Sequence, residues 1–536
     1  MATTVPMTGN SSDTVEYICN KYAKLDAAMG VWKTHWKTIA KYTMPNKDFV
    51  FGGQVPGEMK DWQLYDAIGV HCVDRLSAAF HGMLTNPASV WFSLSCGDPL
   101  IDSLPAVAKW LQDSARLMIS VMNNSNFQSE IHEVYQELCS IGTGHMKIEE
   151  DELDVVRFTS RPIYESAVSE NHLGIIDTHY YKYEYTLDQL SEAYPDTIPK
   201  ELEEMRFKDP LKKVCIIHAI EPSNRLPPKL RHAVLPITSI HVLKEWNVIL
   251  KKSGFEENPC ITPRMSKISG EMLGRSPAMK ALPDIMMADA MMKAFIEQAQ
   301  VVIAPPLQVP DEGVLLPVKL EPRGTNYYRA GTKDRIEPLN IGGNLSIGDD
   351  ILERVHAKIK QAFYIDQLHL VENDRMTTVE VMQRRDEYLR TMSPILGRLQ
   401  NEFLRPTVQR VFGIMARRGL FPALPPELKD KKLEIKFVSQ LARAQESVDA
   451  ENFMRSWAMS MEIAKAQPQV LDLINGDKAV NFAFKSYGTN LSLLNEQEAI
   501  DKMRQSRAQQ LEEERQIANS EVQSKTAVNV AKAAQE

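Results

Sequence analysis

Much that marks an enzyme or a membrane protein is missing from these 536 residues. The six cysteines (Cys19, Cys72, Cys96, Cys139, Cys215 and Cys260) are scattered without a C-x-x-C pair. They read as buried free thiols of a reducing compartment. Residues 1–13 are polar and carry no apolar core of a signal peptide, so none is expected. The most apolar run, 278–305, holds Lys280, Asp284, Asp289, Lys293 and Glu297. A membrane span needs roughly 20 nearly uncharged residues, so no spanning helix is expected. The phosphate-binding pattern G-x-x-x-x-G-K-[ST] is absent; Gly142-Thr143-Gly144-His145 lacks both the lysine and the spacing. Neither H-E-x-x-H nor G-x-S-x-G occurs. The twelve histidines are dispersed, and His71 and His81 stand ten apart rather than at the i, i+4 spacing of a helical metal site. These absences predict no catalysis, no metal and no cofactor. The acidic run Glu149-Glu150-Asp151-Glu152 with Asp154 sits on an expected turn and reads as a solvated hairpin, not a two-metal site. Glu372 and Asp374 read the same way. A formal net charge of −8 argues against a broad basic face for nucleic acid, though not against a ring that surrounds DNA and lets it slide.

Hydrophobic content of 43% and charged content of 25% are those of a soluble globular protein, and the length predicts two to four packed units. The pattern predicts an α+β, predominantly helical chain. Helices are expected at 12–43, 65–84, 104–122 and 127–141, with a short strand at 90–94. Strands are expected at 144–149, 154–159, 174–185 and 212–220, with short helices at 190–194 and 200–207. Residues 221–236 read as a loop, and 242–250 and 260–266 as extended. Beyond residue 378 the pattern gives a long helix to 417 containing Pro394 and Pro406, a strand at 433–438, and helices at 444–466 and 468–485. Residues 496–536 lose their aromatics and read as a solvated helix or disorder.

The chain is organised around 276–378. A helix opens at Ser276-Pro277, where proline suits the first turn, and runs to about 302. Met286, Met287, Met291 and Met292 stripe it; methionine fills irregular gaps and suits an interface between many copies. Pro305, Pro306, Pro310, Pro317, Pro322 and Pro338 punctuate an excursion. A second helix follows Ser346, has Asp349 and Asp350 in its first turn, and runs to about 370. Glu372, Asn373, Asp374 and Arg375 form a loop, and Thr377 with Glu380 reads as a capping box for the third helix. The two helices describe a stalk about 37 Å long with a tip. Arg323, Arg329, Lys333 and Arg335 lie in that tip beside Tyr327 and Tyr328. Lys358 and Lys360 lie on the second helix opposite Leu352, Val355, Ile359 and Phe363. They read as a solvated face or as sparse positive charge toward a DNA backbone.

Four motifs, in order, resemble the portal family of short-tailed bacteriophages, the head-to-tail connecting proteins. They are Tyr65-Asp66 through Leu84-Thr85-Asn86-Pro87 to Trp91-Phe92; Gly274-Arg275-Ser276-Pro277-Ala278 with Ala281-Leu282-Pro283-Asp284; Thr378-Val379-Glu380-Val381 with Arg384, Pro394-Ile395, Leu399, Glu402 and Leu404; and Leu441-Ala442-Arg443-Ala444-Gln445. Leu273 and Ser276 depart from the tyrosine and second glycine that the family has there. The resemblance implies a ring, a dodecamer by expectation, around a DNA channel at one capsid vertex. It implies a wing at 1–275, stem helices at 276–303 and 347–370, a clip at 304–346 and a tunnel loop at 371–377. It further implies a kinked wing helix at 378–417, a crown at 418–495 and a tail at 496–536. The implied channel residues are Lys358, Lys360, Glu372, Asn373, Asp374 and Arg375. The implied clip residues, for docking or DNA, are Arg323, Tyr327, Tyr328, Arg329, Lys333 and Arg335. The implied partners are double-stranded DNA, the terminase large subunit, tail adaptor or tail tube proteins, major capsid, scaffolding and internal core proteins, with no membrane. The implied location is the virion's portal vertex, after assembly in the host cytoplasm. The alternatives are another ring-forming virion protein, such as a tail adaptor or internal core component, and a DNA-acting enzyme.

Overall fold

The computed structural model describes residues 11–47, 64–102, 104–308, 331, 337–338, 345–365, 390–429, 433–437, 453–463, 467, 476, 479–480, 483, 500–510 and 512. The chain divides into two compact units, Met1–Pro87 with Val121–Arg418, and Ala88–Ser120 with Gly419–Glu536.

The expected first helix is two, α1 (Ser11–Ala28) and α2 (Gly30–Thr43), separated at the buried Met29. The N–H of Met29 is shared between the carbonyls of Leu25 and Asp26, and the helix restarts at Gly30, a poor helix former. Then come α3 (Ile68–Leu84), β1 (Phe92–Ser95), α4 (Pro99–Asp102), α5 (Pro105–Asn124) and α6 (Phe127–Ile141). Within the first unit α3 packs on α6, with the Phe80 and Tyr135 rings 6.1 Å apart and both fully buried. Tyr135 in turn meets Phe403 edge-on at 5.8 Å.

Among the described residues, the strands between Met146 and Ile261 form two sheets in this unit. β2 (Met146–Asp151), β3 (Val155–Ser160) and β9 (Cys260–Ile261) order as β3-β2-β9. β4 (Ser166–Glu170), β5 (Ile176–Thr186), β6 (Lys213–Pro222), β7 (Ile237–Leu243) and β8 (Val248–Phe255) form an antiparallel meander in that order. Two expectations are corrected here. β4 was not anticipated, because Ser-Ala-Val-Ser-Glu has little strand propensity; pairing with β5 (Val168 opposite His179) makes it a strand. The run 242–250 is not one strand: residues 244–247 turn it, with Asn247 at φ +51, a left-handed position that asparagine tolerates. Between β5 and β6 sit α7 (Leu187–Ala193), opened by a Thr186–Gln189 capping box, and α8 (Lys200–Lys208). Leu187, Leu190, Leu202, Val214, Ile216 and Leu243 make their shared core. The acidic run is the β2–β3 hairpin as expected, ion-paired through Glu150 with Arg417 and through Asp151 with Arg157.

After α9 (Pro277–Ile303), β10 (Leu307–Gln308) pairs antiparallel with β11 (Glu337–Pro338), and α10 (Leu345–Ala362) follows. The expectation of a helix to about 370 is corrected: α10 ends at Ala362. Tyr364 adopts φ +59, and the N–H of Ile365 bonds the carbonyl of Lys360, the six-to-one bond of a Schellman stop. In the long helix, residues 378–389 lie outside the described residues. From 390 to 399 the chain is α-helical, then widens to a π-turn at Gln400–Leu404 before α11 (Arg405–Arg417). Pro406 explains the widening. It has no N–H to give, and its ring would crowd the carbonyl four residues back.

The second unit pairs β1 with β12 (Glu434–Phe437), Phe92 opposite Phe437. Trp110 donates its indole N–H to the carbonyl of Pro422 at 3.1 Å and lies 6.2 Å from the Phe421 ring. Residues 453–463 and 500–510 are helical, and 501–510 are exposed. All six cysteines are free, and four are buried.

Glu137 on α6 is buried at 2% exposure, and Oε2 has no hydrogen-bond partner. Burial pushes its carboxyl up to about 8. The unfolded chain releases this proton near the ordinary value of 4.5, whereas the folded chain holds it to about pH 8. Stability therefore falls as pH rises across that window. Glu137→Gln is expected to raise the thermal midpoint at pH 8 and leave it nearly unchanged at pH 4.5, as read by calorimetry.

Candidate functional site at the α9–α10 hairpin

The hairpin is rooted in a close backbone contact. Gly142 ends α6 at φ +82, its N–H on the carbonyl of Glu137. A Cβ on Gly142 would stand 2.6 Å from the carbonyl oxygen of Gly274, and one on Gly274 would strike the Gly142 oxygen closer still. The N–H of Gly274 bonds Thr143 Oγ1 at 2.8 Å, and the N–H of Met265 bonds the Gly142 carbonyl at 2.9 Å. Next in the chain, Ser276 caps α9: its Oγ accepts from the N–H of Met279 at 3.0 Å and donates to the carbonyl of Ser140 at 2.5 Å. Thus Gly142-Thr143-Gly144, which fails as a phosphate loop, is the seat of the Gly274-Arg275-Ser276-Pro277 turn.

A buried arginine braces this root. Arg264 is 4% exposed and meets Glu402 of the π-turn through two parallel bonds of 2.9 and 3.0 Å. Its remaining N–H groups reach Glu170 Oε2 at 3.3 Å and the carbonyls of Met272 and Gly174 at 3.0 and 2.9 Å. Arg398 also bonds Glu402, at 2.8 Å. A guanidinium out of water requires this saturation of its donors. The role of Arg264 was missed from sequence, where an isolated arginine 138 positions from its partner gives no signal.

Higher on the hairpin, Asp289 of α9 accepts the N–H groups of Tyr65 and Asp66 at 2.7 and 3.1 Å. Asp66 accepts from the N–H of Ile68 at 2.9 Å, and its other oxygen meets His356 Nε2 of α10 at 2.5 Å. The Tyr65-Asp66 motif therefore holds both hairpin helices at the start of α3.

The two helices are in contact, α10 also meets α3, and Leu352, Val355, Ile359 and Phe363 are buried. Gly348 lies against the Phe295 ring, where a Cβ would overlap it. Lys358 and Lys360 are exposed, but on the two sides of that apolar stripe and not opposite it. At 100° per residue they stand about 200° apart around the axis. Lys358 shares a stripe with Arg354 and Ile351. Lys360 lies near enough to Cys72 on α3 to oppose the rise that burial imposes on that thiol, which reaches about 12. One straight surface cannot take both. On α9, Met286 and Met287 remain 42% exposed, Ile296 and Val302 are exposed, and Ile303 is 83% exposed. Glu372, Asn373, Asp374, Arg375, Arg323, Tyr327, Tyr328, Arg329, Lys333 and Arg335 lie outside the described residues. Among the described residues no group of three or more His, Cys, Asp or Glu is placed to hold a metal ion, and no helix is long and apolar enough to cross a membrane.

The root contact is expected to tolerate no side chain. Gly142→Ala should cost about 2 kcal/mol or more, from left-handed backbone strain plus the clash. Gly397→Ala, in the helical stretch with no atom within 4 Å of the added Cβ, should stabilise by about 0.5–1 kcal/mol. Chemical denaturation of the two variants checks both signs.

The chain is 27% identical over 513 residues to the probable portal protein of Bordetella phage BPP-1, covering 94% of this chain and 92% of that one. It is 26% identical over 509 residues to the portal protein of Salmonella phage epsilon15, covering 92% and 91%. It is 20% identical over 460 residues to the portal protein of Escherichia phage T7, covering 82% and 81%. The model of the bacteriophage head to tail connecting protein family matches residues 16–494, and with most of its length so matched the chain belongs to that family.

Proposed function

We infer that this chain is the subunit of a portal ring at one capsid vertex, through which double-stranded DNA is packaged and later ejected. The near full-length match to named phage portal proteins carries this reading. In it the ring is a dodecamer that docks the terminase motor, then the tail adaptor or tail tube, within a shell of capsid and scaffolding proteins. The protein has no catalysis of its own. α9 and α10 form the stem, 304–346 the clip, 371–377 the tunnel loop, 1–275 and 378–417 the wing, 418–495 the crown and 496–536 the tail.

Physical features of the chain support the assignment. Half-exposed Met286 and Met287, with exposed Ile296 and Ile303, leave apolar side chains on α9 that the described residues do not cover. Neighbouring stems in a ring would cover them. A net charge of −8 keeps phosphate contacts few, which lets DNA slide; each added contact would strengthen salt-dependent grip. Because Lys358 and Lys360 point to different flanks, we assign Lys358, with Arg354 beside it, to the channel and Lys360 to the contact with α3. The loop Glu372, Asn373, Asp374 and Arg375 lines the channel in this reading. Arg323, Tyr327, Tyr328, Arg329, Lys333 and Arg335 serve the clip.

Electron microscopy of the purified protein is expected to show rings of about a dozen subunits with a central hole. Met286→Asp with Met287→Asp should leave a folded chain that forms few or no rings. Monomers of the unaltered protein across protein and salt concentrations would overturn the reading. In a packaging assay, Lys358→Ala should reduce DNA packaged per head and Lys360→Ala should not; the reverse pattern would exchange their assignments.

A further inference from the structure

Where β5, β6 and β7 meet β2 and β9, four of the twelve histidines stand in one file. His145, His179 and His218 are buried, and His241 is half-buried. The His179 and His145 rings are 5.3 Å apart, and His145 and Tyr181 are 5.2 Å apart. Tyr181 and His218 follow at 5.7 Å, and His218 stacks on His241 at 3.7 Å and 17°.

The partners in this file are neutral. His145 bonds Thr262 Oγ1 at 2.8 Å and Tyr181 Oη at 2.5 Å, and Tyr181 donates on to Cys260 Sγ at 2.9 Å. His218 bonds Ser239 Oγ at 2.8 Å. Tyr194 and Tyr183 approach His241 Nδ1 at 2.8 and 3.2 Å. His179 has no side-chain hydrogen-bond partner, and only the main chain at Ile176 acts on its ring against burial. The charged groups around the file are mostly cations: Lys147 of β2, Arg161 beyond β3, Lys251 of β8, and Arg410 of α11 near Cys260. The carboxylate that faces the file, Glu149, is paired with Lys147 at 2.7 Å. An imidazolium formed here meets no unpaired carboxylate among the described residues, because Glu149 is already held by Lys147, and two rings stacked at 3.7 Å repel each other once both are charged.

We propose that this histidine file is an acid-triggered latch, whose protonation opens the five-stranded sheet locally while the helical core of α3, α6 and α9 stays folded. The direction follows from the environment. Burial, then neighbouring histidine and cationic charge, holds His145 and His218 well below the ordinary value of 6.5. Burial with Lys147 and Lys251 does the same to His241, and burial lowers His179 to about 3. Groups lowered in the folded state leave its stability intact above pH 6.5 and withdraw it as pH falls below, by up to tenfold per pH unit for each group. The half-buried His241 is the point where protons enter. The latch stands on this sheet alone and does not depend on ring assembly.

Hydrogen exchange of the full chain at pH 7.5, 6.0 and 5.0, corrected for intrinsic rates, tests it. Amides of β5, β6 and β7 are expected to gain at least tenfold in exchange per pH unit below 6, and those of α6 and α9 less than threefold. His218→Gln combined with His241→Gln should fold at pH 7.5 and show about half the logarithmic slope. Sheet protection unchanged down to pH 5, equal loosening of sheet and helices, or an unaltered slope in the double variant would each overturn the proposal. If the double variant does not fold, the pH series on the unaltered chain still decides.

Discussion

Two backbones that touch at Gly142 and Gly274 set the position of the long hairpin. The contact needs a left-handed residue at the end of α6 and no side chain on either strand, so glycine occupies both places. From there the cap at Ser276 takes up a free N–H of α9, and its hydroxyl proton ties the helix to the carbonyl of Ser140. A helix about 40 Å long at 1.5 Å per residue magnifies any error at its base. Tight backbone packing limits that error better than long side chains, which lose entropy when held in place.

The ionic contacts around the hairpin work by saturation. Arg264 is costly to bury, and its five N–H groups find two carboxylates and two carbonyls drawn from β4, the β4–β5 turn, the loop before α9 and the π-turn. The arrangement adds definition to the geometry of four segments more than net stability. Pro406 contributes from the other side, because the π-turn that it forces carries Glu402. Asp289 and Asp66 repeat the logic higher up, using carboxylates to accept main-chain N–H groups at the start of α3.

The five-stranded sheet follows a different rule. Its polar core is built from neutral imidazoles, hydroxyls and a thiol, surrounded by cations. Such a core is firm while the imidazoles stay neutral and has nothing to offer a charged one. The two halves of this unit therefore differ in kind. One is braced by ion pairs formed at neutral pH, the other by groups that must remain uncharged.

Helical periodicity alone placed α3, α5, α6 and α9 within a few residues, because each buries one apolar stripe whatever its neighbours. The tyrosine-rich β5 was equally legible, and the ordered motifs were enough to name the family. What escaped was whatever depends on contacts between distant residues. The Ser-Ala-Val-Ser-Glu of β4 became a strand only against β5. The end of α10 came eight residues early, at a tyrosine in a conformation usually left to glycine. The sequence by itself determined the class of the protein, its helices and its lack of a phosphate loop, since local spacing and residue type carry those. Only the tertiary structure decided that Gly142 faces Gly274, that Arg264 meets Glu402, that Lys358 and Lys360 part company, and that four histidines share one core. Those facts rest on distances between segments tens of positions to more than a hundred positions apart, or on angles around an axis, and local sequence encodes neither.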